Sequence, residues 1–516
     1  MKTDNLDLTI NNKQSQKSAE ESGLNKPITV KFLLSFTIPT ILSFVLQSTF
    51  GIIDGVFASR GISVEALSAV NFVMPFITFT LAIASMLSIG GCALIAKKKG
   101  KGLFQEAREN FTLLSVVTFI SSLIIMVISW ILRDPLLNLL GTDMHVFDLT
   151  LEYLQPLILM MPFFIVGMFM IQFLIAEGRP VLGMIVSISG AVVSTSLNAL
   201  MLFVFDMGVM GLALATGIGY SVPAIIGFIY FTFNRKGTLY FVRPKWDIRA
   251  LGRSSINGIS EMITMMAATV TTIVMNNVLV RIVGFEGVAA AGIVMGLQAV
   301  FSSLYFGYAT GLAPVVSYNF GKEKHDNLRK LYKKSLVVVA SLAIIALIGT
   351  VISADLLVRI YVPEGTPMHA MTVRGLRIAT VGYLFMSFNV FVTAWFTAFN
   401  DGLVSGVMSF MRTMVFSLIL LVTLPNIWDL TGVWIALPLA EVLSIILTIF
   451  FLIKLGKKYN YAQTKIVEQF EKREYKNNLH KKILASEAQY QRSKKTYNID
   501  DVAARMKNNI KEKANI

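Results

Sequence analysis

Residues 90–108 read GGCALIAKKKGKGLFQEAR, and residues 311–329 read GLAPVVSYNFGKEKHDNLR. In both, an apolar run ends in Gly-Lys, at Gly100-Lys101 and Gly321-Lys322, and an arginine follows, Arg108 and Arg329. The pairs Gly90/Gly311 and Gly100/Gly321 are each 221 residues apart, and Gly211/Gly432 repeats that spacing. Near these, Ala176-Glu177-Gly178 answers Asn400-Asp401-Gly402 with a small change of offset. Three pairs at one spacing indicate a chain built from two copies of one unit.

On either side of these loops lie apolar stretches of membrane-crossing length, about 20 residues each. They fall at 30–55, 64–92, 110–132, 148–175, 182–203, 211–233, 251–280, 287–312, 334–354, 373–398, 404–423 and 431–453. Turn residues punctuate the joints, as in Glu177-Gly178-Arg179-Pro180 and Asn400-Asp401-Gly402. The composition agrees. Of 516 residues, 54% are hydrophobic and 15% charged, with mean hydropathy +0.65, whereas a soluble globule carries about 25% charge. The fold class is therefore an all-α polytopic membrane protein, with twelve transmembrane helices in two six-helix repeats around a central cleft. Its parts are an N-terminal segment 1–29, a first lobe 30–233, a linker 234–250, a second lobe 251–455 and a basic tail 456–516.

The excess of 46 Lys and Arg over 31 Asp and Glu would suggest nucleic acid in a soluble chain. Here its distribution suggests no nucleic-acid partner. Loops 93–109, 176–181, 234–253, 313–334 and 399–403 hold eighteen basic residues, whereas the opposite loops hold four, Arg60, Arg133, Arg281 and Arg359. Arg374 and Arg377 raise that count only to six. The positive-inside rule then places both termini in the cytoplasm of a multi-pass cell-membrane protein. Residues 1–29 lack the apolar core of a signal peptide. The tail reads as a solvated, partly helical segment, with an anionic lipid surface as its alternative partner.

A lone cysteine, Cys92, excludes intrachain disulfides and multi-thiolate metal sites. No phosphate-binding loop of the G-x-x-x-x-G-K-[ST] type is present, so no nucleotide-driven pump resides in the chain. No selectivity-filter sequence and no convergent catalytic set occurs either. No cofactor is expected. Two six-span repeats lie the same way up in the membrane, which suits rocking around a central site driven by an ion gradient.

Ionisable residues inside spans need a reason. Asp54 lies toward the outer end of the first span, on one stripe with Gln47, two turns earlier. It is either a helix end touching water or a switch that takes up and releases a proton, with Pro39 as the hinge absorbing the bend. Glu261 either snorkels, pairs with a basic loop residue, or serves transport. Glu441 is too deep to snorkel, and Arg412 is its candidate partner; a structural pair and a second-lobe contact both remain open. Gln47, Gln172, Glu261 and Glu441 are the expected polar lining. The 36 Phe and 25 Met suit an adaptable cavity wall, and Gly292/Gly296 and Gly307/Gly311 read as sites of close helix packing.

The chain resembles the multidrug and toxic compound extrusion (MATE) family over about residues 30–455. The similarity is carried by Pro39, Gln47, Gly51-Ile52-Ile53-Asp54, Glu65-Ala66-Leu67-Ser68-Ala69-Val70-Asn71, Pro75, Gly90-Gly91, Leu197-Asn198, Gly211 to Thr216 and Gly432 to Glu441. The resemblance implies an antiporter exporting amphipathic, often cationic compounds in exchange for H+ or Na+; separately, a monomer is expected. It assigns coupling to Asp54, Asn198 and Thr216, where sodium is the metal candidate. The family branch has an Asp four residues after the Asn, but here Leu202 stands there. That departure tilts the expectation toward protons. The alternatives are a lipid-linked saccharide or lipid flippase, disfavoured because Arg412 is the one deep basic residue, and an intramembrane enzyme.

Overall fold

The computed structural model describes residues 23–139, 146–459, 461, 480 and 484. The expectations for residues 1–22 and for nearly all of the basic tail lie outside the described residues. The chain divides into a unit of residues 1–461 and a second unit of residues 462–516.

Twelve helices in the first unit are long and apolar enough to cross a membrane. They are α1 (Val30–Gly61), α2 (Val64–Gly100), α3 (Phe104–Ile131), α4 (Phe147–Ala176), α5 (Pro180–Phe203) and α6 (Gly208–Phe233), then α7 (Ile248–Ile282), α8 (Phe285–Gly321), α9 (His325–Arg359), α10 (Pro367–Ala398), α11 (Gly402–Thr423) and α12 (Pro425–Tyr459). A short helix, Arg133–Leu139, follows α3. Among the described residues there is no strand. Every predicted span is present. Most helices run past the predicted ends, α2 and α8 by about two turns, because backbone hydrogen bonding continues where hydropathy stops. Side-chain caps set several starts: Thr29, Ser63, Asp247 and Thr366 each accept from an amide three residues on.

The outer faces stay apolar. On α3, Ile120, Ile124, Val127, Ile128 and Ile131 form an exposed ridge, which water would not tolerate and a bilayer would. Apolar cores form within each half of the bundle. One gathers Leu154, Ile158, Phe164 and Leu212, and another gathers Phe111, Phe169, Phe173 and Phe231. In the second half, Ala290, Val373, Leu376 and Trp434 pack together.

The halves meet along a seam near one end, the end carrying the α2–α3, α4–α5, α6–α7, α8–α9 and α10–α11 connections. We call it the basic end. There the backbones approach so closely that only glycine fits. A Cβ on Gly258 of α7 would lie 1.9 Å from the Met86 carbonyl of α2, and one on Gly90 would lie 2.1 Å from the Ser254 carbonyl. Gly321 of α8 meets the Lys97 carbonyl in the same way, and Gly100 meets that of Tyr318. The seam loosens toward the far end. Gly307 of α8 packs on the backbone of Ile41 in α1, and Ser48 touches Ser303 at 2.6 Å. Gly296 lies on the same stripe as Gly307, eleven residues away, and meets nothing within 4 Å, as does Gly292. The expected close packing therefore holds for Gly307/Gly311 and fails for Gly292/Gly296, because the halves have diverged by that level. The bundle is closed at the basic end and open toward the far end.

The linker between the halves is fastened to the first half. Glu177, at the end of α4, accepts from the Thr238 amide and hydroxyl and from the Leu239 amide at 3.1 Å. Lys99 neutralises it at 3.2 Å and also donates to the Ala176 carbonyl at 2.9 Å. Arg108 donates to the Thr238 carbonyl at 3.0 Å, and Thr112 accepts from the Val242 amide at 3.1 Å.

Overpacking a tight contact costs about 1–3 kcal/mol, so Gly258→Val should pry the seam open. In a Cys92→Ser background, maleimide labelling of Ser254→Cys should quicken by about tenfold, whereas Gly292→Val should leave it unchanged. Equal rates in both variants would contradict the seam.

Candidate functional site

Asp54 lies on the far half of α1, Asn198 near the far end of α5, and Thr216 two turns into α6. The antiparallel run of α5 and α6 brings their far ends beside α1. The Asn198 side-chain amide donates to Asp54 Oδ1 at 2.6 Å. Asp54 is half-buried and Asn198 fully buried. The carboxylate lines a cavity of about 230 Å³ enclosed by α1, α2, α4, α5 and α6, together with Gln47 and Thr216. Gln47 donates to the Ser187 hydroxyl at 2.9 Å. Thr216 donates to the Leu212 carbonyl at 3.0 Å, which leaves its oxygen lone pairs available. The rest of the wall is greasy and aromatic, with Phe50, Met74, Ile77 and Phe164 among it, and Tyr220 stacks on Phe164 at 4.0 Å between ring centres. The buried Tyr153 and the half-buried Tyr220 line the same cavity.

One buried acceptor here is unsatisfied: Asn198 Oδ1 has no hydrogen-bond partner among the described residues. A buried polar atom without a partner costs free energy, so this site is set up to receive a donor or a cation. Leu202, one turn beyond Asn198, is buried and apolar and lies against Gly61. It adds no oxygen to the site. Asp206 is exposed in the turn after α5, at positive φ, and supplies none either.

α1 is continuous through Pro39. Three hydroxyls bond carbonyls around it: Thr37 to Leu33, Thr40 to Thr37, and Ser43 to Pro39 itself at 2.9 Å. The carbonyl that the proline deprives of its helical donor is that of Ser35, and none of these three hydroxyls bonds it.

The four residues expected to form one polar lining do not converge. Gln47 joins the Asp54 cavity. Gln172 is buried in α4 toward the basic end, away from that cavity. Glu261 and Glu441 belong to the other half of the bundle. In the second half, Arg412 donates to Glu441 Oε1 at 3.2 Å. Asn389 of α10 donates to the other carboxylate oxygen at 2.7 Å and to the Glu441 carbonyl at 2.9 Å, and it accepts from Thr448 at 2.8 Å. Glu261 is half-buried within range of the Arg412 charge. Arg412 stands on a π turn, Met411–Phe416, inside α11, an irregularity found often at functional sites. Both oxygens of Glu441 are engaged, which favours the structural pair. Neither Ser187 nor Asn389 was signalled by sequence, since a Ser or Asn in a span carries no charge to demand a partner.

Breaking one side of a buried pair costs about 3–5 kcal/mol, whereas replacing both with apolar residues is often neutral. Arg412→Met alone should therefore lower the thermal midpoint of the purified protein markedly. The double variant Arg412→Met/Glu441→Leu should recover most of that loss. A double variant as unstable as the single one would contradict a structural pair.

Comparison with known proteins accords with this architecture. The MatE family model matches twice, over residues 39–200 and 261–423, once in each half. The multidrug export protein MepA of Staphylococcus haemolyticus is 22% identical over 447 residues, covering 85% of this chain and 96% of its own length. Solved structures share the fold, and two of them bear on this chain. One is described as the outward-facing conformation of a multidrug resistance MATE family transporter of the MOP superfamily (TM-score 0.78, 18% identity, 82% of this chain and 95% of that one). The other is a MOP superfamily transporter from Pyrococcus furiosus, described as having a binding pocket of reverse polarity that suggests a different function (TM-score 0.79, 18% identity, 85% and 98%). The chain belongs to the MatE family and is a multi-pass membrane transporter, not an enzyme.

Proposed function

We propose that this transporter exports amphipathic, cationic small molecules across the cell membrane in exchange for protons, by alternating access. The observation that carries the reading is the Asp54–Asn198 hydrogen bond inside an aromatic cavity. A sheltered carboxylate suits an organic cation in one state and a proton in another, because it cannot hold both charges at once. Protonated Asp54 becomes a donor, and the unsatisfied Asn198 Oδ1 is an acceptor beside it, reached by rotation of the amide. Loss of charge at Asp54 would then re-pair α1 with α5. Sodium is the second reading. It would draw on Asp54, Asn198 and Thr216, and it is weakened by Leu202, since the cavity offers one carboxylate where a sodium cage wants several oxygens.

The excess of basic residues at the closed end supports a cytoplasmic position for that end and for both termini. The opening toward the far end then corresponds to release outside. A greasy wall with few fixed polar groups supports broad selectivity over a single cargo. The second half contributes the Arg412–Glu441 pair as a fixed element, with Glu261 beside it. A lipid flippase is disfavoured: among the described residues the cavity is lined by no cation, whereas a phosphate headgroup calls for one.

Ethidium efflux from proteoliposomes tests the reading, with proton and sodium gradients imposed separately. An inward proton gradient should drive efflux, and Asp54→Asn should abolish the gradient-driven part. Asn198→Ala should slow it by about tenfold, as the loss of a charge-assisted hydrogen bond would. Efflux driven by sodium alone would overturn proton coupling, and an Asp54→Asn protein that retains full proton-driven efflux would overturn the role of Asp54.

A further inference from the structure

At the basic end the seam encloses a second cavity, of about 420 Å³, that the transport reading does not use. It is lined from the first half by Lys97, Lys98 and Lys101, and from the second half by Arg253, Asn257 and Asn400. Four cationic side chains thus face one space across the joint. Of the nearby carboxylates, one neutralises a lining lysine and the other is engaged elsewhere. Glu106 binds Lys98 at 2.9 Å. Asp401 accepts from Tyr459 and from Lys458 at 3.1 Å. Burial alone would raise the Asp401 carboxyl, but those hydrogen bonds outweigh it and hold it below the usual range. Lys97, Lys101 and Arg253 have no carboxylate partner among the described residues, and the like charges of Lys101, Arg253 and Lys458 press on Lys97. Lys97 is half-buried, with its ammonium 4.6 Å from the centre of the Phe320 ring.

Such a cluster is self-repelling. It sits where the two backbones make their closest approach, at Gly100/Gly321 and Gly90/Gly258. An arrangement that concentrates positive charge across a joint favours opening of that joint unless an anion occupies it. We infer that this cavity binds a phosphate-type anion, either the headgroup of an anionic lipid or free phosphate, and that the bound anion holds the basic end closed. Charge-assisted hydrogen bonds from ammonium and guanidinium groups supply the affinity. Because the lining comes from both halves, the site is complete only when the seam is shut, so by linkage the anion shifts the population toward the closed arrangement. Lipid is available there under the proposed orientation, since anionic headgroups line the cytoplasmic leaflet. The effect on closure rests on the alternating-access reading. The binding itself does not.

The test uses the purified full chain in neutral detergent. Thermal midpoint is titrated against inorganic phosphate and, separately, against a short-chain phosphatidylglycerol. Saturable stabilisation is expected for the unaltered protein, with affinity about tenfold weaker in Lys97→Gln/Arg253→Gln. The control Lys330→Gln/Lys333→Gln, on exposed positions of α9, should bind normally. Stabilisation by both ligands assigns the site to the phosphate group itself, and stabilisation by the lipid alone assigns it to a headgroup with its acyl chains. No saturable effect, or an equal effect in the seam variant, overturns the site. In a Cys92→Ser background, the anion should also slow maleimide labelling of Ser254→Cys. Binding without that slowing would overturn the closure role while leaving both the site and the export reading intact.

Discussion

Hydrocarbon offers no partner to a charge, so every ionisable group placed at membrane depth must bring one. This constraint organises the molecule at three levels. Near the basic end it pairs Lys99 with Glu177 and thereby builds the anchor for the linker. In the second half it pairs Arg412 with Glu441 and recruits Asn389 and Thr448 to occupy what remains. Beside the far end, among the described residues, it leaves Asp54 with a single neutral amide. The first two carboxylates are neutralised by a cation of the protein. The third has no such partner among the described residues, and that difference is what the proton-coupling proposal rests on.

The same economy explains the wall around Asp54. Gln47 is bound to Ser187 and Thr216 to its own helix, so the cavity presents few free donors of fixed direction. Aromatic and thioether surface fills the remainder. Under the proposed function, a guest there would be recognised by shape tolerance and by one charge. That chemistry suits many related molecules and specifies none of them closely.

Much of this was legible in the sequence. The twelve spans followed from apolar length, and the duplication from three glycine pairs at one spacing. Asp54 and the Arg412–Glu441 pair stood out because charge in a span is costly, and Gln47 because it lies two turns from Asp54 on the same stripe. What was not legible depended on distance in space. Nothing in the order of residues separates Gly307, which packs against α1, from Gly296, which faces a gap; only the divergence of the halves does. Gln172 looked like Gln47 in sequence, yet it points into a different environment. The role of Glu177 was hidden for a related reason. It reads as part of a turn, and its partners Lys99, Thr238 and Leu239 lie 61 to 78 residues away.

The anchoring of the linker also sets a mechanical limit. Val242 is tied to Thr112 on α3, and Asp247 caps α7. Five residue steps separate these two fixed points, a reach of at most about 18 Å for fully extended chain. The second half of the bundle is therefore on a short tether at one corner. It can pivot about that corner, but it cannot drift away as a body. Any stroke of the molecule must therefore keep the first turn of α7 within that reach of Val242.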